Sequence, residues 1–347
     1  MLKSRLCIAF FAFAVGCAPA QKPLTDYVNP MLGTATLWDS VDLGFKPTKR
    51  TWGAEVFPGS SLPNAMVQVS PVTKFHSGAG YQYEDSVIYG FTHTNKGHWN
   101  LCHIPLLPVT GTPTPGDYCS PFSHERESAA PGYYQVFLDR YGVDAQLSST
   151  LRCAFHKYTY PAGAAASLLA DLQRSNEHVR AWDIRKEGDN VFAGWQQTGE
   201  KMYFYAVANR PVTGIEPVVE GDREVRIVRF GEGDGALELR IGFSFVSEKN
   251  ARENLEAEML GKSFAEVRSE ATATWNDLLG RIRVEGGTER EKGLFYSSLY
   301  RSFLWPALRS DVNGEFTDVD GKVINPGFRY YTGPSYWDDY RNKLILL

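Results

Sequence analysis

The chain of 347 residues lacks any apolar run long enough to cross a membrane, a span that needs about 20 residues. It also lacks a basic field. Lys and Arg number 36 against 40 Asp and Glu, a net charge of −4, and no Lys/Arg run marks a polyanion site. Nucleic acid is therefore not an expected partner. Cysteine is scarce, at five residues, with no Cys-x-x-Cys pair and no Cys/His spacing suited to zinc. A phosphate loop, a dinucleotide fingerprint and a Gly-x-Ser-x-Gly elbow are all missing, which leaves Ser-His-Asp chemistry without support. What is plentiful is aromatic: 18 Tyr, 20 Phe and 8 Trp. A mildly acidic, aromatic-rich chain suits sugars better than phosphates, although β-rich cores are aromatic too.

The first 20 residues read as an export signal. Lys3 and Arg5 precede an uncharged apolar stretch from Leu6 to Val15, and small residues follow. Two processing routes stand open. Ala18-Pro19-Ala20 has the small-x-small form of a cleavage site. Ala14-Val15-Gly16-Cys17 has the form of a lipobox, which would place a lipid anchor on Cys17. Either route gives an exported protein: periplasmic, surface-anchored or secreted. Cys102, Cys119 and Cys153 remain in the body. A Cys102–Cys119 bridge is one reading; three free, buried thiols is the favoured one.

Residues 22–246 read as β structure. Short apolar runs alternate with Gly/Pro turns up to residue 135. Denser strand candidates then follow at 134–138, 143–160, 166–171, 191–197, 202–208, 224–230 and 236–246. Alternation in 224–230 and 237–241 predicts one buried and one wet face, hence an antiparallel β-sandwich. The period changes at Ser247. Residues 247–287 read as linker helices. Ser263-Phe-Ala-Glu266 is a capping box opening a helix with Phe264, Val267, Ala271, Trp275 and Leu278 on one face. Arg281–Glu285 reads as a short strand. Thr288-Glu-Arg-Glu291 is a second capping box, opening a helix to about Trp305 with Leu294, Phe295, Leu299 and Phe303 as its apolar residues. Ser335-Tyr-Trp-Asp338 reads as a third helix start, and its helix runs into Leu344-Ile-Leu-Leu347 without a cap. That ending predicts a chain cut within a second, helical domain, of which 288–347 would be the start.

Several segments resemble the glycoside hydrolase family 92, exo-acting α-mannosidases. They are Asp26-Tyr-Val-Asn-Pro-Met-Leu-Gly-Thr34, the run from Phe57 to Pro71, Gly80-Tyr-Gln-Tyr83 with Ile88-Tyr-Gly-Phe-Thr-His93, Ser120-Pro-Phe-Ser-His-Glu125 with Ala130-Pro-Gly-Tyr-Tyr134, and Arg152 to Pro161. Near the end, Tyr330 to Arg341 looks like that family's Trp-Asp helix start. The resemblance covers residues 24–347. It implies a β-sandwich, helical linkers and an (α/α) toroid, with the active site between sandwich and toroid. It further implies Ca²⁺-assisted, inverting hydrolysis of terminal α-mannose in mannose-containing glycans. The catalytic acid and base and the calcium ligands would come from beyond residue 347, so no catalytic or metal-binding residue is assigned in this chain.

The binding candidates are Trp337, Asp338, His93, His98, Trp99 and Trp52. An indole face packs on a pyranose and a carboxylate accepts from vicinal hydroxyls, which fits Trp337 and Asp338 to the terminal mannose. Asp338 and Asp339 point apart on a helix, so they do not make the spaced pair that inversion needs. His93, His98 and Trp99 lie in a polar, Gly-containing loop; ordinary hydrogen-bonded loop histidines are the competing reading. The family's His-Thr-His segment continues into a Ser-Gly-Thr-Gly-like turn, which Asn95-Lys-Gly-His-Trp-Asn100 replaces here. As metal ligands His93 and His98 lack a third partner. Trp52 lines a sugar subsite or fills core. His156, alternating with Tyr158 and Tyr160, reads as a satisfied sheet residue, and His124-Glu125 as a capped turn. Rival functions are a glycan-binding sandwich without activity, and a glycoside phosphorylase, which the lack of a basic cluster disfavours.

Overall fold

A computed structural model describes residues 22–37, 40–46, 56–96, 99–233, 235–332 and 346. The chain is mainly β. One sheet holds seven strands in the order Ser60–Ser61, Gln68–Val72, Gly90–Thr92, Leu106–Val109, Ser167–Ala170, Arg223–Phe230 and Val212–Glu220. The other holds eight, in the order Ala181–Gly188, Val191–Gln197, Lys201–Ala208, Leu237–Ser244, Cys153–Thr159, Val143–Ser149, Tyr133–Leu138 and Glu127–Ala130. Neighbours within each pair antiparallel, for example Tyr203 opposite Ser244 and Leu168 opposite Val228. Period-two patterning shows in Lys201–Ala208, where Met202, Phe204, Ala206 and Ala208 are buried and the residues between are not. The inward faces of both sheets make one core that includes Phe91, Leu106, Leu168 and Val228 from one side and Leu147, Tyr158, Phe204 and Ile241 from the other.

The 143–160 stretch divides into two strands at a turn closed by Thr150 N–H on the Cys153 carbonyl, 2.9 Å. Between residues 135 and 246 two strands escape the sequence pattern, Ala181–Gly188 and Val212–Glu220. Both are sheet edges. An edge strand tolerates charge and proline, and these carry Asp183-Ile-Arg-Lys-Glu187 and Pro217, so neither shows apolar alternation.

Ser247 caps the helix Glu248–Glu258, its hydroxyl accepting from Asn250 N–H. The helix lies on the Leu237–Ser244 strand, with Ala251 and Leu255 buried. The contact is possible because residue 242 is glycine. A Cβ there would sit 2.1 Å from the Ala251 carbonyl oxygen and 2.8 Å from Leu255 Cβ. Gly242→Ala is expected to cost roughly 2 kcal/mol, the usual range for overpacking. Urea unfolding checks it, and an unchanged midpoint would contradict the close packing.

Both capping boxes form. Ser263 and Glu266 exchange bonds at the start of Phe264–Leu279, and Thr288 and Glu291 at the start of Glu289–Ser302. Phe264, Val267, Ala271, Trp275 and Leu278 are all buried, as their spacing predicts. Trp275 also donates its indole N–H to the Ser61 carbonyl at 2.8 Å. The Glu289–Ser302 helix corrects the sequence reading. Its buried face is Tyr296, Leu299 and Tyr300, with Phe303 just beyond, whereas Leu294 is 59% exposed. Tyrosines occupy the inner positions that a purely aliphatic pattern assigns elsewhere. Arg281–Glu285 is not a strand. Tyr296 takes its backbone instead, the hydroxyl accepting from Val284 N–H and donating to the Ile282 carbonyl. None of the three body cysteines is in a disulfide; Cys102 and Cys153 are buried, and Cys119 is half-buried, so the Cys102–Cys119 bridge is not formed.

Candidate functional site

A cavity of about 730 Å³ opens between the turn at 197–201, Phe245-Val246, the hairpin of Phe316–Thr317 with Val323–Ile324, and Tyr330 with Thr332. Arg309 is its central charge. Its Nη2 donates to Glu200 Oε2 at 2.9 Å, and its guanidinium carbon stands 3.6 Å from the Phe245 ring centre. Burial holds the Arg309 pKa below the usual arginine range, with Glu200 opposing. The paired carboxylate and the aromatic face keep the cation in place. Thr332 is pinned at the rim: its N–H donates to the Ala307 carbonyl at 2.8 Å and its hydroxyl meets Ala307 N–H at 3.2 Å.

Behind the 197–201 turn runs a polar chain of buried Thr198, His103 and Thr94 that ends on the exposed Glu177. Thr198 Oγ1 donates to Glu177 Oε2 at 2.6 Å, which spends its proton. His103 Nε2, 2.8 Å from that hydroxyl, is therefore the donor. Burial pushes the His103 pKa down to about 4, so the ring is neutral and its Nδ1 accepts from Thr94 Oγ1 at 2.8 Å.

His93 sits below the loop rather than on it. It is fully buried, its Nε2 lies 3.0 Å from His156 Nε2, and its ring is 4.5 Å from that of Phe243. Its backbone continues the sheet, donating to the His103 carbonyl and accepting from Gln68 N–H. Burial takes the His93 pKa down to about 3 and that of His156 well below the imidazole range. His156 is satisfied as expected, with Nδ1 2.5 Å from the Tyr158 hydroxyl. Of the other candidates, Trp52, His98, Trp337 and Asp338 lie outside the described residues. Trp99 is described in its backbone, which pairs with Lys96. Thr332, on the cavity rim, is the last described residue before the 333–345 stretch that carries Trp337 and Asp338. The expected capped turn at His124-Glu125 is present, with Ser123 accepting from Glu125 N–H.

Sequence reading missed Glu177, Thr198, Glu200 and Arg309. The polar run Gln196-Gln-Thr-Gly-Glu200 between two strand candidates was the available signal for the turn. Arg309 had none, since its partner lies more than a hundred residues away. Among the described residues, no three His, Cys, Asp or Glu side chains converge to hold a metal ion.

An antiparallel sandwich that hands its chain to helices, with a polar, aromatic-walled cavity between the sandwich and the 309–332 segment that follows those helices, has the build of a two-domain glycoside hydrolase. Comparison makes this specific. Residues 27–254 match the glycosyl hydrolase family 92 N-terminal domain, and residues 250–347 match the glycosyl hydrolase family 92 catalytic domain. The chain belongs to glycosyl hydrolase family 92. A family GH92 α-mannosidase from Bacteroides thetaiotaomicron is 27% identical and superposes with a TM-score of 0.82, over 92% of this chain and 46% of that one. A GH92 inverting mannosidase from B. thetaiotaomicron VPI-5482 is 25% identical with a TM-score of 0.79, over 93% and 46%. An uncharacterized secreted glycosidase of Arthroderma benhamiae is 24% identical over 344 residues, 83% of this chain and 42% of that protein. The chain thus spans less than half the length of each relative. No helix among the described residues is long and apolar enough to cross a membrane.

Proposed function

We propose that this chain is the sandwich-bearing part of an exported exo-α-mannosidase that removes terminal α-mannose from glycans with inversion. The observation carrying this is the fold shared with an α-mannosidase across 92% of the chain, alongside matches to both family domains. In this reading Trp337 and Asp338 hold the terminal sugar, the indole on its apolar face and the carboxylate on its hydroxyls. Thr332, Arg309 and Glu200 shape the cavity from which that segment departs. His98, Trp99 and Trp52 line the leaving-sugar side, and His93, buried in the sandwich, supports the segment that carries His98 and Trp99 through its backbone bonds to Gln68 and His103. The acid and base lie beyond residue 347. Calcium belongs to the proposal by resemblance alone; when bound it would supply electrostatic help to the sugar hydroxyls. A lipid anchor on Cys17 is the proposed form of attachment if the lipobox is used.

Hydrolysis of an aryl α-mannoside tests the reading. The 347-residue chain is expected to be inactive, and the chain extended by its downstream coding sequence active, releasing β-mannose first by NMR. In the extended protein Asp338→Ala should lower kcat and raise KM without loss of folding. Turnover by the 347-residue chain alone would place the carboxylates within it and overturn the assignment. A glycan-binding sandwich without activity is the second reading, favoured by the formed cavity; it predicts saturable mannoside binding and no turnover in either protein.

A further inference from the structure

A second cavity, of about 640 Å³, adjoins the first. Glu177 forms the shared wall: it lines the second cavity, while its Oε2 accepts from Thr198 and from Gly199 N–H, and Gly199 borders the first. The volume falls within the ligand-pocket range of about 300–1,000 Å³. Its lining includes Trp182, half-buried on the edge strand Ala181–Gly188, together with Arg174, Arg180, Arg223, Glu177 and Asp222.

The lining is rigid where it matters. Arg223 donates to Asp171 Oδ2 at 2.5 Å and to the Pro115 carbonyl at 3.1 Å. Arg174 is wedged against Phe75, Tyr89 and Tyr118, its guanidinium carbon 5.1, 5.3 and 6.0 Å from their ring centres. Gln196, directly opposite Trp182 in the sheet, donates to the Leu172 and Arg174 carbonyls, both at 2.9 Å. The backbone bearing Arg174 and the strand bearing Trp182 are thereby locked together. Such pre-organised donors lose little freedom on binding.

The charges decide the ligand class. Three guanidinium groups are balanced by Glu177, Asp222 and the buried Asp171 behind them, histidines apart. A phosphate or sulfate would find no net positive field. A neutral polyol finds what it needs: a half-buried indole, which carries the Arg226 guanidinium 5.3 Å from its ring centre and can offer its remaining surface to a sugar, planar guanidinium forks for vicinal hydroxyls, and carboxylates to accept from them. We infer that this cleft is a distal oligosaccharide-binding site, holding sugar units of a glycan whose terminal residue reaches the first cavity. The placement next to the first cavity rests on the mannosidase reading; the cleft's affinity for neutral oligosaccharide does not.

Isothermal titration of the 347-residue chain separates the two. The probes are α-mannotetraose, maltotetraose and inorganic phosphate. The expected result is saturable binding of α-mannotetraose and none of phosphate. Trp182→Ala should weaken binding at least tenfold, and Arg180→Ala, at an exposed position, at least threefold with an unchanged Tm. Binding of neither tetrasaccharide, or wild-type affinity in both folded variants, overturns the site. Phosphate binding that Arg180→Ala abolishes overturns the neutral-ligand assignment. Trp182-dependent binding of maltotetraose alone upholds the cleft and removes the mannoside reading.

Discussion

Lowering the pH from 7 to 5 is expected to destabilise the fold by about 6 kcal/mol. The origin is His93, His103 and His156, all buried. Desolvation depresses their folded pKa values, to about 3 for His93, about 4 for His103 and well below the usual range for His156. The unfolded chain takes up those protons near pH 6.5, and the folded chain does not. Stability is therefore fullest above pH 6.5 and is lost as pH falls from 6.5 towards the folded values. Each histidine costs about 1.4 kcal/mol per pH unit in that window, hence about 2 kcal/mol at pH 5. Against a total of about 5–15 kcal/mol, three such groups are decisive. Asp311 acts in the opposite sense. Burial raises its carboxyl, so the folded state holds that proton more readily and gains as pH falls through the carboxylate range. Chemical denaturation at steps between pH 7.5 and 4.5 measures the slope. A midpoint that stays flat down to pH 5 would show that the histidines charge in place.

Asp311→Ala is expected to cost about 3 kcal/mol. The carboxylate is 2% exposed and accepts three side-chain bonds: Ser244 Oγ at 2.7 Å, Asn250 Nδ2 at 2.9 Å and Asn254 Nδ2 at 2.7 Å. These donors come from the last sandwich strand and the following helix, while Asp311 comes from the segment beyond. Truncation leaves buried donors short of an acceptor, at about 1–3 kcal/mol for each group left unsatisfied. The two amides keep other partners, Asn250 on Glu315 and Asn254 on the Phe243 carbonyl, which limits the loss. Asp311→Asn should fall between, because one oxygen remains to accept. A thermal scan reads both; Glu232→Ala, at an exposed carboxylate, serves as the neutral control. Equal Tm values for Asp311→Ala and the control would mean that the network carries no load.

Local signals were the legible ones. Ser263 with Glu266 and Thr288 with Glu291 are complete within four residues, and both helices start where the sequence placed them. Strands with one wet face announced themselves by alternation. The edges did not, because Ala181–Gly188 and Val212–Glu220 have only one strand neighbour each and so keep charge and proline. The family resemblance was legible because its segments recur in order, and it fixed the fold class before any contact was known. The cavity was not legible. Arg309 needs Glu200 and Phe245, and His93 needs His156, partners set by the folding of distant strands. Periodicity carries no information about such meetings.

The contact at Gly242 bears on how this architecture is inherited. The helix Glu248–Glu258 belongs by period to the helical segment after the sandwich, yet it seals the outer surface of the Leu237–Ser244 strand, and the family's two domain patterns overlap at residues 250–254. A recombination that exchanged the sandwich alone would leave Gly242, Cys153 and Phe155 bare. The sandwich and its covering helix must therefore travel between genes as one piece, with matching evolution of strand and helix at that seam.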